Sequence, residues 1–230
     1  MANYGKGYYD EDEQKREQLR GKGLAGIFGL MFLGLLISAI TAFFTAESPL
    51  LWGLVFATDF YFLFLAPLGL VIFVFPRVWT MPPAAAIGLF FVYAILNGLT
   101  LSVVFLSFNI GLALAFLSTA GMFAAMAVYG AVTQADLSGL GSLLIMGLFG
   151  LIVASVLHWF LFPGTAFDMV LSYASIAIFL GLTANHVQRL QKAMAENPST
   201  GTMVQGALYL YLAFLNIFFV KARLMGDRRR

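Results

Sequence analysis

The sequence predicts an all-α membrane protein, a compact bundle of seven transmembrane helices. Three observations predict it. Of the 230 residues, 61% are hydrophobic and only 10% are charged, whereas a soluble domain carries about 25% charged residues. A water-soluble fold of this size could not hide so much apolar surface. Seven apolar stretches follow one another, each close to the roughly 20 residues a helix needs to cross the hydrocarbon core. The connections between them are short enough to make consecutive helices antiparallel neighbours, which leaves no room for a second domain.

A polar N-terminal tail, residues 1–23, comes first, and its position ahead of the apolar stretch argues against a cleaved secretory signal. Its acidic content argues against a transit peptide. The run YYDEDEQKREQ mixes both signs and reads as a short surface helix or a disordered segment, with docking to a partner as the alternative. The membrane domain, residues 24–222, holds the seven segments Leu24–Ala46, Leu50–Phe75, Pro83–Phe108, Ile110–Val132, Gly141–Leu161, Phe167–Val187 and Met203–Ala222. Helix breakers mark the junctions, where they cost least: Pro49, Pro76, Pro82–Pro83, Asn109, Pro163–Gly164 and Asn197–Pro198. A basic tail, residues 223–230, closes the chain.

Orientation follows from the basic residues beside the spans. Lys6, Lys15, Arg16, Arg20 and Lys22 precede the first span, while the next loop has only Glu47, so the N-terminus is expected in the cytoplasm. Arg77, Arg189 and Lys192 fall on that same side. Seven crossings put Lys221, Arg223 and Arg228–Arg230 outside, against the rule, and a re-entrant last segment is the alternative. The composition and simple loops point to a bacterial inner membrane.

The net charge of +2 is too small to argue for nucleic acid as a partner. The absence of cysteine excludes disulfides, thiol catalysis and thiolate metal sites. There is no nucleophile elbow, phosphate loop or catalytic carboxylate pair, so neither an enzyme nor a cofactor is expected. Expected partners are the lipid bilayer, a membrane protein and, in one reading, a cation.

Several polar residues lie within the spans. Asp59 stands in the second segment, where a charge near the bilayer centre costs roughly 2.5–3.5 kcal/mol and must face protein or water. It is a candidate for a cation or proton step, against the blander reading of a structural carboxylate that is protonated or paired. His186 is a candidate pH sensor, because histidine ordinarily titrates near physiological pH. His158, beside Trp159, fits an interfacial belt. Asn97, Asn216, Thr100 and Ser102 are expected to hydrogen-bond between helices, and Asp136 to cap or order the loop after the fourth span. Gly147, Gly150 and Ala154 recur on one face of the fifth segment, as a helix-packing seam in lipid requires.

The stretches APLGLVIFVFPR, FVYAILNGLTLSVVF and YGAVTQADLSGLGSLLIMGLFGLIVAS resemble the Bax inhibitor family, with Gly130, Thr133, Asp136, Leu137, Ser138 and Gly141 the most specific positions. IFLGLTANHVQRLQ and GALYLYLAFLNIFF resemble its last two helices. The resemblance covers roughly Leu24 to Gly226. It implies a seven-helix bundle with the last helix central. Family members are described as pH-sensitive calcium or cation leaks, as regulators of cell death or, in bacteria, as modulators of a membrane-anchored AAA+ protease. In leak-type members two aspartates, on the sixth and seventh helices, form a proton-sensing pair. Here His186 and Ala213 stand at those positions, and Asn97 stands where some members carry glutamate. Alanine can neither titrate nor bind calcium, so the di-carboxylate mechanism cannot operate as it does in those relatives. The resemblance, with its sensor lost, implies a regulatory or partner subunit. A cation or proton leak with an altered sensor is the alternative.

Overall fold

The computed structural model of the protein describes residues 4–50, 53, 60–107, 111–161 and 165–227. Regular structure among these residues is helical. The α-helices are α1 Tyr4–Glu47, α2 Phe60–Gly69, α3 Pro83–Ser107, α4 Gly111–Val132, α5 Ser138–Leu161, α6 Thr165–Glu196 and α7 Thr200–Asp227. Among the described residues, six stretches are long and apolar enough to cross a bilayer: Gly21–Glu47, Pro83–Val103, Ala113–Val132, Ser138–His158, Ala166–Glu196 and Thr200–Met225. The second expected segment, Leu50–Phe75, lies partly outside the described residues.

After α2, which carries Pro67, the helix widens to a π turn at Leu70–Val74 and tightens to a 3₁₀ turn at Phe75–Thr80. Pro76 has no N–H to continue an α-helical ladder, and such changes of pitch are a usual response. Side chains serve carbonyls along this stretch. Arg77 donates to the Phe73 carbonyl at 2.6 Å and Thr80 to that of Arg77 at 2.9 Å.

Two helix boundaries differ from expectation for the same reason. α1 begins at Tyr4, so the polar tail is continuous with the first span as helix. α6 runs past Val187 to Glu196. Hydropathy reports where lipid ends, and an i→i−4 ladder carries on into water when the residues beyond favour helix. At the next junction Ser199 caps α7, its hydroxyl oxygen accepting the Thr202 N–H at 3.1 Å.

The chain forms two compact units. The first comprises Met1–Leu101 and Arg189–Leu208. In it α1 meets α3 at Gly98, where a Cβ would fall 2.7 Å from the Ser38 carbonyl oxygen and 2.6 Å from the Thr41 Cβ. The fully buried Ser38 hydroxyl lies 2.7 Å from the Ala94 carbonyl across that contact and 2.9 Å from its own Gly34 carbonyl. Gly23 and Gly26 lie against Met194 and Met203, and Gly206 against Leu190 and Ile27. Phe75 packs edge-on to Tyr93 with ring centroids 5.4 Å apart.

The second unit comprises Ser102–Gln188 and Tyr209–Arg230. Phe214 of α7 takes Phe116 and Phe123 of α4 edge-on, at 5.4 and 5.6 Å. Gly181 of α6 receives the side chain of Leu144 from α5. Burial differs sharply between spans: 61% of the α7 window is buried, against 6% of that in α5.

Candidate functional site

A polar construction in the second unit joins the C-terminal half of α6 to the loop between α4 and α5. Gln188 holds that loop from both ends of its amide. Its Oε1 accepts the Leu137 N–H at 3.0 Å, and its Nε2 donates to the Ala135 carbonyl at 2.7 Å. One turn earlier on the same helix face, Asn185 Nδ2 donates to the Leu137 carbonyl at 2.5 Å. Asn185 and Leu137 are buried, as is Gln188. Leu137 is the buried residue of a mostly exposed loop, and the two amides meet both its N–H and its carbonyl. The Asn185 Oδ1 is buried and finds no hydrogen-bond partner among the described residues.

Two glycines make this approach possible. Gly130 of α4 lies against the Ala184 backbone, where a Cβ would stand 2.7 Å from the Ala184 Cα. At Gly141 of α5 a Cβ would meet the Asn185 amide at 2.6 Å. Asp136 completes the loop, accepting the Ser138 N–H at 3.1 Å and its hydroxyl at 2.9 Å, as expected for a residue that orders the start of α5. The family-like run from Gly130 to Gly141 is therefore a clearance-and-clamp device. Its partners Asn185 and Gln188 were not singled out in the sequence. The available signal was two amide side chains three residues apart on one face of an apolar helix.

His186 points elsewhere. Its ring stacks on Tyr209 of α7, centroids 4.9 Å apart and planes within 7°. Ala213 lies one turn beyond Tyr209 on α7, on the same face, and is 3% exposed. The two positions at which the resemblance expects the sensor pair thus hold an imidazole lying flat on a phenol ring and a buried methyl group. Asp59 lies outside the described residues.

The small residues of α5 are placed unevenly. A Cβ on Gly147 would make ordinary contact with Ile178 at 3.4 Å, one on Gly150 would meet nothing within 4 Å, and Ala154 is half-buried. Three of the four polar residues expected to bridge helices bond within their own helix. Asn97 donates to Tyr93, Thr100 to Leu96 and Asn216 to Leu212, each to the carbonyl four residues earlier. That acceptor is always within reach in a helix, whereas a partner across an interface depends on register. His158, expected at the interface, pairs with Asp168 at the start of α6, Nε2 to Oδ1 at 3.2 Å. Among the described residues no three His, Asp or Glu side chains gather as a metal site.

Six bilayer-length apolar helices define an integral membrane protein of the polytopic α-helical class. Residues 20–230 match the family model described as inhibitor of apoptosis-promoting Bax1, and the chain belongs to the Bax inhibitor family. It is 36% identical over 216 residues to the inner membrane protein YbhL of Escherichia coli, covering 90% of this chain and 92% of YbhL. An uncharacterized protein of Borreliella burgdorferi is 37% identical over 229 residues, covering 96% of this chain and 98% of that protein. An uncharacterized Rickettsia prowazekii protein is 34% identical over 209 residues, covering 88% of each chain.

Proposed function

We propose that the protein is a non-enzymatic regulatory or partner subunit of a bacterial inner-membrane complex, with its N-terminus in the cytoplasm. A membrane-anchored AAA+ protease is the type of partner the family resemblance favours. The observation that carries this reading is the buried Ala213, one turn from the Tyr209 on which His186 stacks. The scaffold around the sensor is kept while its carboxylate pair is missing. The E. coli relative YbhL, an inner membrane protein, supports the compartment. Purification in mild detergent from the native membrane tests the reading. A stoichiometric membrane companion is expected, and a reproducibly lone protein overturns it.

A second reading is a cation or proton leak that uses Asp59, with His186 as an altered sensor. The half-exposed imidazole of His186 favours it. Flux into liposomes between pH 6 and 8 separates the two readings. The leak requires that Asp59→Asn change the flux and that His186→Ala move its pH dependence.

A further inference from the structure

Away from the α6–loop clamp, three helices of the second unit form an open pocket of about 280 Å³ lined by Leu151 and Ser155 of α5, Leu171 and Ser175 of α6, and Phe219, Val220 and Arg223 of α7. Its size is near the lower end for small-molecule sites, about 300 Å³. The Arg223 guanidinium reaches inward and donates from Nη2 to the hydroxyl oxygen of Ser172 at 2.7 Å. Ser172 and Ser175 are 1% and 7% exposed. No carboxylate pairs with Arg223 among the described residues, and its guanidinium brings a positive charge to the pocket.

The serines are unusual for this chain. Ser118 and Thr183 fold their hydroxyls back to carbonyls of their own helices. Ser155 and Ser175 make no hydrogen bond among the described residues. Their hydroxyls line the pocket and can donate to a ligand that enters it. A guanidinium and neighbouring hydroxyls together recognise phosphate oxygens, the first through charge and paired N–H groups, the second as donors.

We propose that this cavity binds a phosphate oxyanion, supplied by the headgroup of an anionic phospholipid. Depth and lining specify the lipid. Counting about 1.5 Å per residue, Arg223 lies about 6 Å from the end of α7, Ser155 about 9 Å from the end of α5 and Ser175 about 15 Å from the start of α6. Arg223 and Ser155 therefore lie near the headgroup level, with Ser175 deeper in the same pocket. Leu151, Leu171, Phe219 and Val220 offer an apolar wall to the glycerol and upper acyl chain of the same molecule. A zwitterionic headgroup brings its own cation and gains less from Arg223.

Native mass spectrometry of the full-length protein in detergent, titrated with dioleoyl phosphatidylglycerol, dioleoyl phosphatidylcholine or inorganic phosphate, tests the assignment. Phosphatidylglycerol is expected to bind better than phosphatidylcholine. Arg223→Gln should weaken its binding about tenfold, as loss of a charge-assisted hydrogen bond does. Lys221→Gln removes an equal charge from the same helix end outside the cavity and should change it less than about twofold. Ser175→Val, which replaces the hydroxyl by a methyl, should weaken it severalfold and carries the test if Arg223→Gln does not fold. Inorganic phosphate that binds with the same dependence on Arg223 supports the oxyanion site and makes a soluble phosphate its source. Phosphatidylglycerol binding that is indifferent to both Arg223 and Ser175 overturns the proposal.

Discussion

Gln188 is the side chain on which the α4–α5 loop depends most directly, because it serves one N–H and one carbonyl of that loop. Gln188→Leu keeps the volume and removes both partners. Each buried backbone group left unmet costs about 1–3 kcal/mol, so a clear fall in thermal stability in detergent is expected. Gln188→Glu should fall less, since its carboxylate still accepts the Leu137 N–H. Equal losses in the two variants would show that the amide is not the clamp. This role was not legible in the sequence. The partners of Asn185 and Gln188 are backbone atoms 48 to 53 residues away, with no side-chain identity to betray them. Asp136 was legible because its partner, Ser138, is two residues away.

Close approaches between helices are where the glycines divide into two kinds. A methyl at Gly130 collides with the Ala184 backbone, which cannot step aside as a flexible side chain can, whereas a methyl at Gly150 meets open space. Gly130→Ala should therefore lower the unfolding temperature substantially, since overpacking typically costs about 1–3 kcal/mol. Gly150→Ala should be neutral or slightly stabilising, as alanine is the better helix former by about 1 kcal/mol. Circular dichroism melts of both variants decide it, and a destabilised Gly150→Ala would mean that another molecule covers that face. Periodicity alone placed Gly147, Gly150 and Ala154 on one stripe, but it carries no information on what the stripe faces. The described spans themselves were legible, since apolar length and helix breakers are local properties. The extensions of α1 and α6 were not, because hydropathy falls at the lipid boundary while the helix does not.

Seen whole, the protein makes two demands on experiment. The seven crossings expected from the sequence would place its ends on opposite sides of the membrane. The chain contains no cysteine, so a single introduced thiol reports its side without background. Gln134→Cys in the α4–α5 loop should react with an impermeant maleimide from the cytoplasmic side and Asp227→Cys from the other. Labelling of both from one side would require an even number of crossings and a re-entrant last segment. The family's sensor can also be restored on this scaffold. His186→Asp together with Ala213→Asp should create calcium conductance in liposomes that the native protein lacks, if the protein has become a partner subunit. Conductance by the native protein would instead make the pair dispensable and Asp59 the residue to pursue.

The length of α1 has a mechanical consequence. Its 44 residues, at about 1.5 Å each, make a rod of about 66 Å. Gly21–Glu47 accounts for the bilayer-length part, so about 25 Å of unbroken helix precedes it. An intact hydrogen-bonded rod bends only gently over such a distance. A force applied near Tyr4 is therefore delivered as torque to the seam where Ser38 and Thr41 meet Gly98, and the first span behaves as a lever with its handle in the aqueous phase. Inserting two glycines at the membrane boundary would cut that coupling while leaving both halves of the lever in place.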